Sequence, residues 1–322
     1  MLGRILDFLG RGPRRDEAPA RYHSRFGGLW IDRLDAKQVL DEKARLDSGV
    51  RRLREKLAFF IDNGYVILEK AVDPRAIDRY LADLAASVQG GPLQAMVFVN
   101  RMPGYAVVPL AEANLAAPLT KILDTYVHVA SARELVFAPA IVDFLRAVFE
   151  EGALAFQGLH FEKGSTQAVH QDTAYVVCDE PMKLCASWIA LEDVMPGSGE
   201  LFYYAGSHRL PDWTYSGQHK HFSFDRDGNE THLAHLQSLH DRSKERGFAL
   251  QRFMAGKGDA LIWAADLAHG GSEITDPALT RRSLVTHYAP ESNAPHWFRG
   301  LPDERRVRVT VRPGCSYCTS YY

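Results

Sequence analysis

The spacing of apolar positions changes partway along this chain. Between about Asp35 and Asp62, Val50, Leu53, Leu57, Phe60 and Ile61 recur at steps of three and four, which predicts a helix with one buried face. Asn63-Gly64 stops it, and Tyr65-Val66-Ile67-Leu68 reads as a strand. Asp73-Pro74 then supplies a cap and a first-turn proline for a helix carrying Ile77, Leu81, Leu84 and Val88. Met96–Val99 is strand-like, Thr120–Tyr126 and Ser131–Leu135 fit neither period, and Ala138-Pro139 opens a helix with Ile141, Leu145, Val148 and Phe149 that closes near Gly152.

From Ala153 onward short apolar runs dominate: Ala155–Glu162, Ala168–Val177, Leu184–Leu191, Leu201–Tyr204, Ala260–Ala264 and Ser283–Tyr288. Lys163-Gly164-Ser165, Pro196-Gly197-Ser198-Gly199 and Gly256-Lys257-Gly258 break them. The pattern predicts a mainly β fold with flanking helices, a sandwich or jelly roll whose interior can house a ligand or a metal. Residues 1–30, rich in Gly, Pro and Arg, read as a mobile lead-in to a single domain over 31–322. Within it, 31–152 is mostly helical support, 153–290 the β core and 291–322 a C-terminal extension. Residues 211–252 interrupt the core as a polar insertion with His219, His221, His232, His235 and His240. No Cys or carboxylate cluster accompanies these histidines, so they read as a solvated insertion over a pocket.

Within the β region, His170-Gln171-Asp172 carries the candidate chemistry. On a strand, side chains two apart emerge on one face, so His170 and Asp172 would form a two-toothed metal clamp. A distant His completes the facial triad that holds non-haem Fe(II) with open positions. Gly258–Gly271 offers it: an apolar strand, then His269, then glycines that permit close backbone approach. Arg281 and Ser283 share a face of the next strand and form the kind of pair that anchors a buried carboxylate, as an oxoacid cosubstrate requires.

Composition narrows the partners. The chain has 322 residues, with 38 basic against 40 acidic side chains, so there is no electrostatic footprint for nucleic acid and a small-molecule substrate is the better fit. Cys178, Cys185, Cys315 and Cys318 are too few for a disulfide scaffold and suit a reducing compartment. Cys315-Ser-Tyr-Cys318 has redox or half-zinc spacing, but it lacks a second pair and reads as incidental at a fraying end. No apolar run is long enough to span a bilayer, and the amphipathic start Met1–Leu9 lacks a signal-peptide core, so a cytoplasmic protein is expected.

His170-Gln171-Asp172, Trp188 within Cys185–Glu192, Gly199-Glu200-Leu201, Gly206-Ser207-His208-Arg209, His269-Gly270 and Arg281 together resemble the phytanoyl-CoA dioxygenase family over roughly residues 60–290. The resemblance implies a cupin-like double-stranded β-helix and an Fe(II)- and 2-oxoglutarate-dependent oxygenase. Such an enzyme uses O2 to hydroxylate a C–H bond and releases succinate and CO2. It also implies that His170, Asp172 and His269 bind iron, while Arg281 pairs with the distal carboxylate of 2-oxoglutarate, supported by Ser283 or Ser272. Trp188 would lie near the site or serve as a core aromatic. Gln157 and His160 would contact cosubstrate or substrate, or stand as polar residues of the barrel wall. Arg281 lies one residue farther from His269 than is usual in the family, which leaves Arg282 as the other anchor, and the family's oxoacid-holding lysine has no matched position.

Related halogenases lack the carboxylate that Asp172 retains, which favours hydroxylation and leaves desaturation or ring formation open. A silent iron- and oxoacid-binding relative is a further alternative. A zinc hydrolase is disfavoured because no H-E-x-x-H occurs.

Overall fold

The computed structural model describes residues 21–88, 91–98 and 105–322. The first twenty residues of the expected lead-in, the amphipathic start among them, and Val99 lie outside the described residues. Residues 21–30 are not a mobile lead-in but packed: Leu29 and Trp30 are buried, Trp30 Nε1 donates to the Ala147 carbonyl, and Ser24 Oγ donates to Asp212.

The helix expected over Asp35–Asp62 is three helices, α1 (Ala36–Leu46), α2 (Ser48–Arg52) and α3 (Arg54–Asn63). Asp47 makes the first break, because its backbone is extended and its carboxylate accepts the N–H groups of Gly49 and Val50 to cap α2. Gly64 ends α3 at φ 76°, where a side chain would be strained. Then come β1 (Tyr65–Leu68) and α4 (Pro74–Ser87), the latter capped by Asp73. The stretch that fitted neither period resolves into short pieces. After β2 (Gln94–Phe98) and β3 (Tyr105–Pro109), β4 (Lys121–Leu123) turns at Asp124 into α5 (Thr125–His128) and α6 (Ala130–Val136), and α7 (Pro139–Phe149) completes the helical layer.

The remaining strands are β5 (Ala153–Phe161), β6 (Cys185–Ala190), β7 (Leu201–Tyr204), β8 (Leu250–Arg252), β9 (Ala260–Ala264), β10 (His269–Gly271), β11 (Ser283–Pro290), β12 (Val309–Arg312) and β13 (Cys315–Tyr317). The large sheet runs β1-β9-β6-β11-β5-β4-β2-β3, with β13 added alongside β5 and β12 beside β13; the small sheet runs β10-β7-β8. Strand alternation divides the large sheet. Ile189, Ile262 and Leu284 join the helices' Leu57, Ile77 and Phe144 in one core, while Trp188, Leu261, Val285 and Phe161 join Leu201 and Tyr203 of the small sheet in a second. The fold is therefore a jelly roll with helices on one face, and its interior lies between the sheets. Leu284 is fully buried in the first core, so Leu284→Ala is expected to cost about 3 kcal/mol in urea unfolding.

Three expectations need correction. Ala168–Val177 is not a strand: it makes one isolated bridge and then a 3-10 turn at Asp172–Ala174. The insertion is not merely a solvated cover, because it contains α8 (Phe224–Glu245), kinked at Gly228, and His235 and Leu239 are buried. The C-terminal end is not frayed: β13 pairs in parallel with β5, and Cys315 and Cys318 are buried free thiols. Burial raises the thiol pKa of Cys318, which leaves it a poor nucleophile.

Candidate metal centre

A different device from the expected strand brings His170 and Asp172 together. His170 and His269 form a single antiparallel bridge, N–H to carbonyl at 2.8 Å one way and 3.0 Å the other, which sets their ring centroids 4.3 Å apart. Nδ1 of His170 lies 2.9 Å from the Ala168 carbonyl, and Nδ1 of His269 lies 2.9 Å from that of Leu267. Each ring donates from Nδ1 and so presents its Nε2 lone pair toward a metal; at His170 that lone pair meets Gln167 Nε2 at 3.2 Å, a contact that a metal would displace. The turn after His170 swings Asp172 back, with Oδ1 at 3.8 Å from His170 Nε2 and 3.7 Å from His269 Nε2. These three buried residues offer ligand atoms within 4.8 Å of one another.

The glycines after His269 are sterically required. A Cβ on Gly270 would meet the Gln167 carbonyl at 2.7 Å, and one on Gly271 would meet Ser165 Oγ at 2.5 Å. The loop before His170 can therefore lie against β10 only with glycine there.

Burial, together with the neighbouring His269, lowers His170 to about 3, so its imidazole is neutral at pH 7 and available as a ligand. Burial opposes the charge on Asp172, but the imidazoles of His269 and His287 outweigh it and hold the carboxyl below its ordinary range. Trp263 Nε1 donates to Asp172 Oδ2 at 2.7 Å, and His287 Nε2 lies 3.4 Å from the same oxygen. One carboxylate oxygen is thus held by the protein while Oδ1 faces the two histidines. Trp263→Phe, which keeps an aromatic ring and removes this donor, is expected to weaken metal binding by roughly 10-fold or more, measured by Co(II) titration.

The triad opens on a cavity of about 450 Å³. From the large sheet it is lined by Gln157, Leu159, Phe161, Trp188, Val285 and His287, from the small sheet by Leu201, His269 and Gly270, and from the insertion by His232 and Leu236. Arg281 also lines it and is 2% exposed; Nη1 donates to the Gly199 carbonyl at 2.7 Å, and the guanidinium lies 5.6 Å from the ring centres of both Phe161 and Trp188. Burial lowers Arg281 to about 10, with Glu200 opposing, so it stays charged at neutral pH. Its Nε is buried without a hydrogen-bond partner, as are Trp188 Nε1 and Ser283 Oγ. Arg282 points elsewhere: its side chain is 42% exposed and pairs with Glu162 at 2.8 Å.

The other sequence candidates divide. Gln157 and Trp188 line the cavity. Ser272 is buried and donates its N–H to the Glu200 carbonyl, outside the cavity lining. Nδ1 of His160 lies 3.0 Å from Tyr80 Oη, and its Nε2 lies 3.1 Å from Glu162, so it belongs to the wall. Sequence reasoning missed Lys121, Trp263, Tyr175 and His287. Lys121, on β4, is 7% exposed and lines the cavity, with Nζ 5.6 Å from the Phe161 ring centre; burial lowers it to about 8, with Asp172 opposing. His287 is buried with neither ring nitrogen hydrogen-bonded. A lysine inside the apolar run Lys121-Ile122-Leu123 was the one available signal, and it was masked by a stretch with no clear period.

The sequence matches the family described as Phytanoyl-CoA dioxygenase (PhyH) over residues 60–283. The chain belongs to the phytanoyl-CoA dioxygenase family. Fe(II), 2-oxoglutarate and O2 are the cofactor and cosubstrates of that family. Among solved structures the fold is similar to the non-heme alpha ketoglutarate dependent carbocyclase SnoK from nogalamycin biosynthesis, at TM-score 0.59 and 16% identity, covering 80% of this chain and 95% of that one. It is also similar to the non-heme alpha ketoglutarate dependent epimerase SnoN from the same biosynthesis, at TM-score 0.55 and 18% identity, covering 86% and 94%. EctD from S. alaskensis in its apoform gives TM-score 0.51 and 18% identity, covering 75% and 78%. No curated protein matches. Among the described residues no helix is long and apolar enough to cross a membrane.

Proposed function

We propose that this chain is an Fe(II)- and 2-oxoglutarate-dependent dioxygenase that hydroxylates an unactivated C–H bond of a small organic molecule. The observation that carries the reading is the convergence of His170, Asp172 and His269 on a buried cavity whose wall also holds a buried arginine, Arg281, with an unpartnered Nε. The donor set fits iron: two imidazoles and one carboxylate on one side, with the cavity on the other. The wall fits a dicarboxylate. Arg281 supplies a planar fork, Lys121 a second buried cation, and Trp188 Nε1 a donor without a partner, whereas Ser283 Oγ, also unpartnered, lies outside the cavity lining. An ordinary apolar core would not leave such groups unsatisfied.

When bound, the metal and its two cosubstrates supply the oxidation, in which 2-oxoglutarate, O2 and R–H become succinate, CO2 and R–OH. The residues do the positioning. The Ala168 and Leu267 carbonyls fix the imidazoles, Trp263 fixes Asp172, and Arg281 and Lys121 set the direction in which the oxoacid lies. Leu159, Phe161, Val176 and Leu236 keep water from the reacting face. Tyr175, 42% exposed, has its hydroxyl 2.5 Å from His232 Nε2 and closes the cavity against the insertion. Among the described residues that line the cavity, Lys121 and Arg281 are the only lysine and arginine that could meet a phosphorylated substrate. A small, largely uncharged metabolite suits the wall best. Two proteins of similar fold are a non-heme alpha ketoglutarate dependent carbocyclase and epimerase, so the fold does not by itself select hydroxylation and the placement of the substrate decides the product.

The test is anaerobic. Fe(II) followed by 2-oxoglutarate added to the metal-free protein is expected to give a weak visible charge-transfer band. Absence of the band with folded protein overturns the cofactor reading, and a band without succinate formation on any substrate supports the silent-binder alternative. The oxoacid's KM is expected to rise above pH 8, because Lys121 carries its proton below about 8 and loses it above. Lys121→Met should flatten that rise. The sign for stability is opposite: the fold disfavours the charged form, so stability lost below about pH 8 returns as pH rises through that value.

A further inference from the structure

The 211–252 insertion does more than cover the cavity, because it reaches the backs of both metal-bearing loops. Lys220 is 4% exposed, and its Nζ lies 2.5 Å from Asp266 Oδ2 and 2.9 Å from Asp212 Oδ1. Asp266 stands three residues before His269. Its other oxygen accepts the hydroxyl of Thr173 at 2.5 Å, and its backbone carbonyl accepts Gln171 Nε2 at 2.8 Å. Thr173 and Gln171 flank Asp172. One ammonium therefore neutralises the carboxylate that ties the His269 loop to the Asp172 turn. The insertion holds that turn twice more: Phe222 N–H donates to the Ala174 carbonyl at 2.9 Å, and His232 Nε2 lies 2.5 Å from the Tyr175 hydroxyl. At its outer end Asp212 accepts Ser24 Oγ at 2.9 Å and the Arg25 N–H at 2.9 Å, so the segment preceding α1 closes the chain of contacts.

We propose that Lys220 is a positioning residue for the metal centre, holding Asp266 and Thr173 so that His269 and Asp172 are preset at ligand distance. The inference rests on the reading of the triad as a metal site. Its physical basis is that a buried carboxylate keeps its place only while it is paired and fully hydrogen-bonded. With Lys220 gone, Asp266 must turn toward water or take a proton, and the hydroxyl of Thr173 loses a charged acceptor. The two loops then lose the link that sets their spacing. Outer partners of this kind typically matter by roughly 10–100-fold in metal affinity.

Two variants test it, Lys220→Met and the isosteric Thr173→Val, with Co(II) titration of the metal-free protein followed by the visible d–d band and circular dichroism as the check of fold. The expected result is native circular dichroism, Co(II) binding at least about 10-fold weaker for Lys220→Met and about 3-fold weaker for Thr173→Val, and an altered band shape in both. Folded variants that titrate within about twofold of the wild type with an unchanged band overturn the proposal, since a purely structural strut would lower Tm and leave the metal spectrum alone. If Lys220→Met does not fold, Thr173→Val decides by the same two readings. A wild-type chain that binds no Co(II) overturns the triad reading itself, and the role of Lys220 with it.

Discussion

Asp172→Ala is expected to abolish the Fe(II)–2-oxoglutarate charge-transfer band and to bring succinate formation to background while the protein stays folded. The carboxylate is the sole anionic donor within the triad, and its Oδ1 lies within 3.8 Å of both imidazoles, so its loss leaves two imidazoles alone on one edge of the cavity. The effect should exceed the roughly 10–100-fold that removal of an outer partner costs, because a ligand itself disappears. Stability should fall by less, since His269 and His287 outweigh burial and favour the Asp172 charge in the folded protein, a contribution lost with the carboxylate. Trp263 Nε1 also loses its acceptor, which adds to that cost. The informative outcome is a split: metal affinity and activity collapse while Tm holds within a few degrees. A parallel collapse of Tm would mean that Asp172 is there to hold Trp263 and His287 together, and the metal reading would fall.

The sequence made the triad legible through chemistry rather than local structure. His170, Asp172 and His269 are the right residue types in the right order, yet the strand invoked to align the first two does not exist. A single bridge to His269 and a 3-10 turn do that work, and neither has a periodic signature. The jelly roll was readable because β6 and β9 are nearly continuous apolar runs between turn residues. α8 was not readable: Gly228 breaks its backbone, its exposed face is crowded with charges and histidines, and its burial depends on contacts with residues far away in the chain. β13 was hidden for a related reason. Three residues near a terminus carry no pattern, and only pairing with β5 and β12 makes them a strand. Lys121 and His287 show the limit most sharply. Each looks like an ordinary polar residue in a strand, and its value comes from what faces it across the cavity.

Arg281→Ala is expected to raise the 2-oxoglutarate KM by about 100-fold, equivalent to about 2.7 kcal/mol, with a smaller change in kcat. A buried guanidinium that faces a carboxylate in a water-poor cavity contributes directional, charge-assisted hydrogen bonds, and Nε of Arg281 has no other partner to satisfy. Arg281→Lys should recover only part of the loss, because an ammonium lacks the planar fork and would sit differently between Phe161 and Trp188. Arg282→Ala is the discriminating control. Its side chain already pairs with Glu162 and is 42% exposed, so its removal should leave the oxoacid KM within about twofold. Initial-rate measurements of succinate at fixed substrate separate the cases. A large KM increase for Arg282→Ala with none for Arg281→Ala would reverse the assignment, and the spacing from His269 would then have shifted the anchor by one residue. Equal, modest effects of both would mean that Lys121 carries the oxoacid, which Lys121→Met at pH 7 would expose as the larger loss.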